Sequence, residues 1–147
     1  MMLLRTLVLS VGLAALAGSA SGQTLLSWDQ LTDVRFKPVF NEELGIDILQ
    51  ADFGPSVQAL DGQTVLLKGY IIPLDPLGTQ YVLSRVPMAS CFFCGGSGPE
   101  TVAELRLHPK SIRRYATDDV LTFRGTLQLQ SSNAGSLHYV LLNAEKI

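Results

Sequence analysis

Residues 121–130, "LTFRGTLQLQ", put Leu121, Phe123, Leu127 and Leu129 on one face, polar side chains between them, and Gly125 in the middle. Apolar residues at a period of two describe a strand with one face toward a core. A glycine inside such a strand marks a bulge or the bend at a barrel corner. The neighbouring stretches repeat the pattern. In "TVAELRLH", 101–108, Ala103, Leu105 and Leu107 point one way while Glu104, Arg106 and His108 point the other. "QTVLLKGYIIPL", 63–74, is a largely buried strand that follows the turn Asp61-Gly62 and closes at Pro73. The turn "DPLG", 75–78, leads into "TQYVLSRV", and the hairpin loop "SSNAGS", 131–136, leads into the closing strand "LHYVLLNAEKI".

The N-terminal side is less regular. "SWDQL", 27–31, offers Ser27 as a helix cap with Gln30 three residues on, which predicts one short N-terminal helix. "VRFKPVF", 34–40, alternates Val34 and Phe36 with Arg35 and Lys37, and Pro38 marks an edge or an end. "NEELGIDILQADFGPSVQAL", 41–60, has breakers at Gly45, Gly54 and Pro55 around a short apolar piece and yields no clear element. Five or six closely spaced strands predict a mainly β chain, a single small antiparallel barrel of OB-like type, with a β-sandwich as the alternative closure.

The first 22 residues, with one charge at Arg5, an apolar run from Thr6 to Ala17 and small residues at Gly18 to Ala20, have the form of a cleaved secretory signal peptide. Residues 23–147 then form one β-rich domain, about the size at which a single core is sufficient. The expected product is periplasmic or extracellular and not lipid-anchored, with no transmembrane segment. Cleavage removes Arg5, one of 11 Lys and Arg, and none of the 13 Asp and Glu, so a formal charge of −2 becomes −3. That balance argues against nucleic acid.

Both cysteines lie in "MASCFFCGGSGPE", 88–100, as the C-x-x-C pair Cys91 and Cys94. Three uses compete. A Cys91–Cys94 disulfide suits an oxidising compartment, although so small a loop restricts the unfolded chain little. Alternatively the two thiolates bind zinc or copper(I), with Met88, His108 or His138 completing the set. Met88, Cys91 and Cys94 form M-x-x-C-x-x-C, three soft donors, and the glycines can turn amide N–H groups toward the sulfurs. Thiol–disulfide exchange is the third use, but the strand-motif-helix order of thioredoxin-like proteins is absent. Covalent haem is disfavoured, because Gly95 and not histidine follows Cys94.

Phe92 and Phe93 either shield the sulfurs and dock a partner, or send at least one ring into the core, the second being the expectation. His108 reads as a solvated residue at a strand end and His138 as partly buried. The basic run "HPKSIRRY", 108–115, is a candidate partner surface, though a run of this kind is usually a solvated loop. No nucleophile elbow, zinc-protease motif, calcium loop or phosphate loop occurs, so no catalytic residue is assigned.

"LDGQTVLLKGYIIPLD", "YVLSRVPMASCFFCGGSGPETVAEL" and "LTFRGTLQL" resemble successive blocks of a bacterial family of exported proteins and lipoproteins known as a domain of unknown function. The resemblance runs from about Trp28 to the C-terminus, and C-F-F-C-G-G-x-G-P-E is its most specific block. It implies an exported β-rich domain, loosely associated with metal transport or the cell envelope and carrying no established activity. The lipoprotein members' attachment cysteine has no counterpart here. The expected role is therefore a non-enzymatic, metal-binding envelope accessory, or else a module that binds another envelope protein.

Overall fold

A computed structural model describes residues 23–147; the signal peptide expected at 1–22 lies outside these. The chain runs through β1 (Thr24–Leu26), β2 (Val34–Asn41), β3 (Ile46–Phe53), the single-turn helix α1 (Pro55–Gln58), β4 (Thr64–Pro73), β5 (Tyr81–Ser84), β6 (Val102–Leu107), β7 (Val120–Leu129) and β8 (Tyr139–Lys146). Five strands pair in the order β4-β5-β6-β8-β7, and β7 pairs back onto β4, which closes a barrel. Relabelled from β4, this is the order 1-2-3-5-4, with the third and fifth strands parallel. The barrel is OB-like, and the closure by β4 and β7 excludes the sandwich.

One long strand makes the closure possible. β4 pairs with β7 from Thr64 to Tyr70 and with β5 from Tyr70 to Pro73, so it belongs to both sides of the barrel. The bend expected at Gly125 is there, where the β7–β8 register shifts between Arg124 and Thr126. A Cβ on Gly125 would lie 2.7 Å from both Leu141 Cγ and the Leu142 carbonyl, so the two strands approach too closely for any side chain. The interior is filled by Ala103, Leu105, Phe123 and Leu127, which alternation had marked, together with Leu67, Ile71, Leu83 and Leu141. Each buried leucine or phenylalanine contributes roughly 1.5–3 kcal/mol relative to an exposed one.

The expected N-terminal helix is a four-residue 3-10 turn, Trp28–Leu31, in which the Ser27 N–H donates to Gln30 Oε1 at 2.9 Å. Four residues before a strand leave no room for a second turn, and 3-10 geometry suits so short a piece. The turn seals one end of the barrel, with Leu31 fully buried and the Tyr139 hydroxyl donating to its carbonyl at 2.6 Å.

The least legible stretch forms an antiparallel hairpin. β2 and β3 pair in unbroken register from Val34 opposite Phe53 to Asn41 opposite Ile46. Its base lies on the barrel, with Phe36 against the His138 ring at 5.0 Å and Phe53 against Tyr139 at 5.7 Å. β3 is tied to the β7–β8 loop by Ala51 N–H to the Ser131 carbonyl, 2.7 Å, and Leu49 N–H to Asn133 Oδ1, 2.9 Å. Pro38 sits within β2 because that strand pairs only with β3 among the described residues, so its other edge carries no ladder to interrupt. The tip stands clear of the barrel, with Phe40 62% exposed and Leu44 and Ile46 also exposed.

Candidate functional site

The C-x-x-C loop is a pair of 3-10 turns, Met88–Ser90 and Phe92–Cys94, between β5 and β6. Its glycines are structural. Gly95 takes the left-handed conformation at φ +76°, and a Cβ on Gly96 would lie 2.5 Å from the Ser90 carbonyl. The turned amides aim at oxygen: Cys94 N–H and Gly96 N–H both donate to the Cys91 carbonyl, at 3.1 and 3.2 Å. The N–H to sulfur arrangement expected of a metal knuckle is therefore replaced by a carbonyl-centred turn.

Both thiols are free. Cys91 is buried with Ile72 and Val82, whereas Cys94 is exposed and its Sγ donates to the Met88 carbonyl at 3.2 Å. Desolvation and the neighbouring Cys91 push the Cys94 thiol above its ordinary value, which leaves little thiolate at neutral pH. That opposes a role as an attacking thiol. The expectation that a phenylalanine enters the core is corrected: Phe93 is 48% exposed, Phe92 is half-buried, and Cys91 takes the inward position. The reason is local, since Phe92 and Phe93 begin the second turn and meet edge to face with ring centroids 5.4 Å apart.

The two candidate histidines are engaged elsewhere. His138 is buried against Phe36 with Nδ1 2.8 Å from the Gln130 carbonyl, and its Nε2 has no partner. His108 caps the Pro109–Ser111 turn by accepting the Lys110 N–H at Nδ1, 3.2 Å. Met88 is exposed, and its N–H donates to Asp118 Oδ1 at 2.8 Å. Among the described residues no three His, Cys, Asp or Glu side chains converge as a metal set.

What the structure does bring together is a groove of about 750 Å³ where β5 begins and β6 ends. One wall is the β4–β5 loop, with Leu74, Thr79 and Gln80; the floor is Tyr81 and the Glu104–Leu107 segment; the other wall is Ile112, Arg113 and Arg114. The loop wall is held by Asp75, whose carboxylate accepts Gln80 N–H at 2.7 Å, Thr79 N–H at 2.8 Å and the Thr79 hydroxyl at 2.9 Å. These bonds, the Gln80 amide first, hold the Asp75 carboxyl below the usual carboxylate range. On the opposite wall the Tyr115 N–H donates to the Tyr81 hydroxyl at 3.2 Å, and the Arg113 guanidinium lies 5.1 Å over the Tyr115 ring.

The charge in the groove is unbalanced. Arg106 pairs with Glu104 at 3.1 Å, and the second Glu104 oxygen accepts the Leu137 N–H at 3.2 Å. Arg113 and Arg114 form no ion pair among the described residues. Neither guanidinium has a carboxylate partner, although that of Arg113 lies over the Tyr115 ring, and both residues are exposed beside Ile112, itself 69% exposed, in a net acidic chain. The only sequence signal was the run "HPKSIRRY"; the opposing wall lies more than thirty residues upstream and has no motif linking it to that run.

No family model matches this chain, and no curated protein matches it. Among solved structures it is similar to the crystal structure of a DUF3299 family protein from Pseudomonas aeruginosa PAO1, at 19% identity and a TM-score of 0.46. The similarity covers 65% of this chain and 64% of that one. No helix among the described residues is long and apolar enough to cross a membrane.

Proposed function

We propose that this chain is a binding module without catalytic machinery and that the groove over β5 and β6 is its binding site, for a ligand bearing carboxylates beside aliphatic groups. The observation that carries the reading is the pair Arg113 and Arg114, free of carboxylate partners among the described residues, on the rim of a groove whose opposite wall is fixed by Asp75. Guanidinium forks match carboxylates in a bidentate geometry, and a site held rigid before binding loses less entropy on association. No exposed aromatic ring lines the groove, since Tyr81 is buried, so it lacks the stacking platform that single-stranded nucleic acid uses. The test is amide chemical-shift mapping with a hexaglutamate peptide. Shifts should cluster at 74–81, 104–107 and 112–114, weaken as salt rises from about 50 to about 300 mM, and vanish in Arg113→Ala/Arg114→Ala. Shifts elsewhere, or unchanged binding in that variant, would sink the reading.

A second reading keeps the thiol pair as the working part, taking zinc or copper(I) in an envelope role. It is supported by both thiols being unbonded and by Met88 and Cys94 lying exposed on one loop. Native and denaturing mass of protein purified without chelator tests it. A metal adduct lost in Cys94→Ser supports this reading, and an adduct-free mass two protons light retires it.

A further inference from the structure

The groove has an unpartnered counterpart elsewhere on the same molecule. The tip of the β2–β3 hairpin carries Glu42, Glu43 and Asp47 together with exposed Phe40, Leu44 and Ile46, and no Lys or Arg occurs between Lys37 and Lys68. None of these acidic residues forms an ion pair among the described residues, and none of the tip lines the groove of its own chain. We propose that the occupant of the groove is the hairpin tip of a second copy of this chain, an inference that rests on the groove being a binding site.

Charge, hydrophobicity and reach all favour that pairing. Charge is complementary: carboxylates of the tip meet Arg113 and Arg114, neither of which has a carboxylate partner among the described residues. Hydrophobicity is complementary: Leu44 and Ile46 on the tip correspond to Leu74 and Ile112, all exposed in the single chain. Reach comes from the half of the ladder beyond Leu49, which stands free of the barrel and carries the tip roughly 10–13 Å along the strand direction. The tip itself is prefolded, with Gly45 N–H donating to the Asn41 carbonyl at 2.8 Å and Leu44 N–H to Asn41 Oδ1 at 2.9 Å, so docking requires little further ordering. The two patches differ and lie apart. The contact is therefore head-to-tail, giving a ring where the rotation closes and a linear array where it does not.

Sedimentation velocity on the full described chain at low salt tests this, using Arg113→Glu/Arg114→Glu and Glu42→Arg/Glu43→Arg. All four positions are exposed, so the folds should survive. The native chain should sediment progressively faster with concentration, and each variant alone should remain monomeric. An equimolar mixture should associate again, because each chain's tip then meets a groove of opposite sign. Recovery in the mixture also establishes that both variants are folded. A native chain monomeric up to about 1 mM, association unaffected by either charge reversal, or a mixture that stays monomeric while both variants give dispersed amide spectra overturns the proposal. Hexaglutamate mapping separates the two levels. With a monomeric native chain, groove shifts would leave the binding site standing and remove only self-association; no shifts would remove both.

Discussion

The Tyr139 hydroxyl donates to the Leu31 carbonyl at 2.6 Å, joining residues 108 positions apart and locking the N-terminal turn onto the barrel end. Burial, with Glu100 and Asp33 adding to it, raises this phenol well above its ordinary value of 10.0. Tyr139→Phe leaves a buried carbonyl without its donor and should cost about 1–2 kcal/mol in urea unfolding. The sign with pH follows from the raised value. Stability from the neutral phenol is complete below the unfolded-state value near 10.0 and declines as the pH climbs toward the higher folded-state value. The variant should lose that part of the alkaline slope, and an identical slope would count against the role.

Gly125 and Gly135 make a matched pair of controls for the barrel bend. A Cβ at Gly125 meets Leu141 and Leu142 at 2.7 Å, whereas one at Gly135 meets nothing within 4 Å. Gly125→Ala should destabilise by about 1–3 kcal/mol through overpacking, and Gly135→Ala should stay within about 0.5 kcal/mol of the native chain. Equal urea midpoints for the two would contradict the close approach of β7 and β8.

The two thiols should behave asymmetrically. Cys94 is exposed and should be alkylated in the folded protein, slowly at neutral pH because its thiol is raised, while Cys91 should react only as the chain unfolds. Cys91→Ser places a hydroxyl against Ile72 and Val82 and should cost about 1–3 kcal/mol; Cys94→Ser should be close to neutral. Mass-resolved alkylation with and without denaturant decides it, and equal labelling rates would refute the buried placement.

Asp75 orders the groove wall, and its carboxyl sits below the ordinary value of 3.8. Its contribution is therefore present above the unfolded-state value and disappears as the pH falls through the lower folded-state value. Asp75→Ala should raise the exchange rates of the Thr79 and Gln80 amides at neutral pH and leave those of the barrel core unchanged. Unaltered rates at both amides would mean the wall is held by something else.

The barrel was legible from side-chain alternation, because a half-buried strand needs only its own period of two to declare which face is apolar. Ala103, Leu105, Phe123 and Leu127 lie inside as their spacing required, and the register shifts where Gly125 interrupts the pattern. The hairpin was not legible from Ile46 to Phe53. Half of that ribbon lies on the barrel and half in solvent, so no single face is uniformly apolar, and Pro38 reads as an end although it sits within an edge strand.

From the sequence alone came the β class, the positions of the barrel strands, the bulge and the presence of a thiol pair. All of these are properties of neighbouring residues, readable because steric and hydrophobic preferences act over a few positions. Tertiary structure decided which of the candidate groups could act together. The tight 3-10 turns sent Cys91 rather than Phe92 or Phe93 inward, and packing of the hairpin base engaged His138. Closure of β4 on β7 and parallel pairing of β6 with β8 set the barrel that brings Leu74, Arg106 and Arg114 around one groove. Those residues come from three separate segments, and only the long-range strand pairing sets the distances between them.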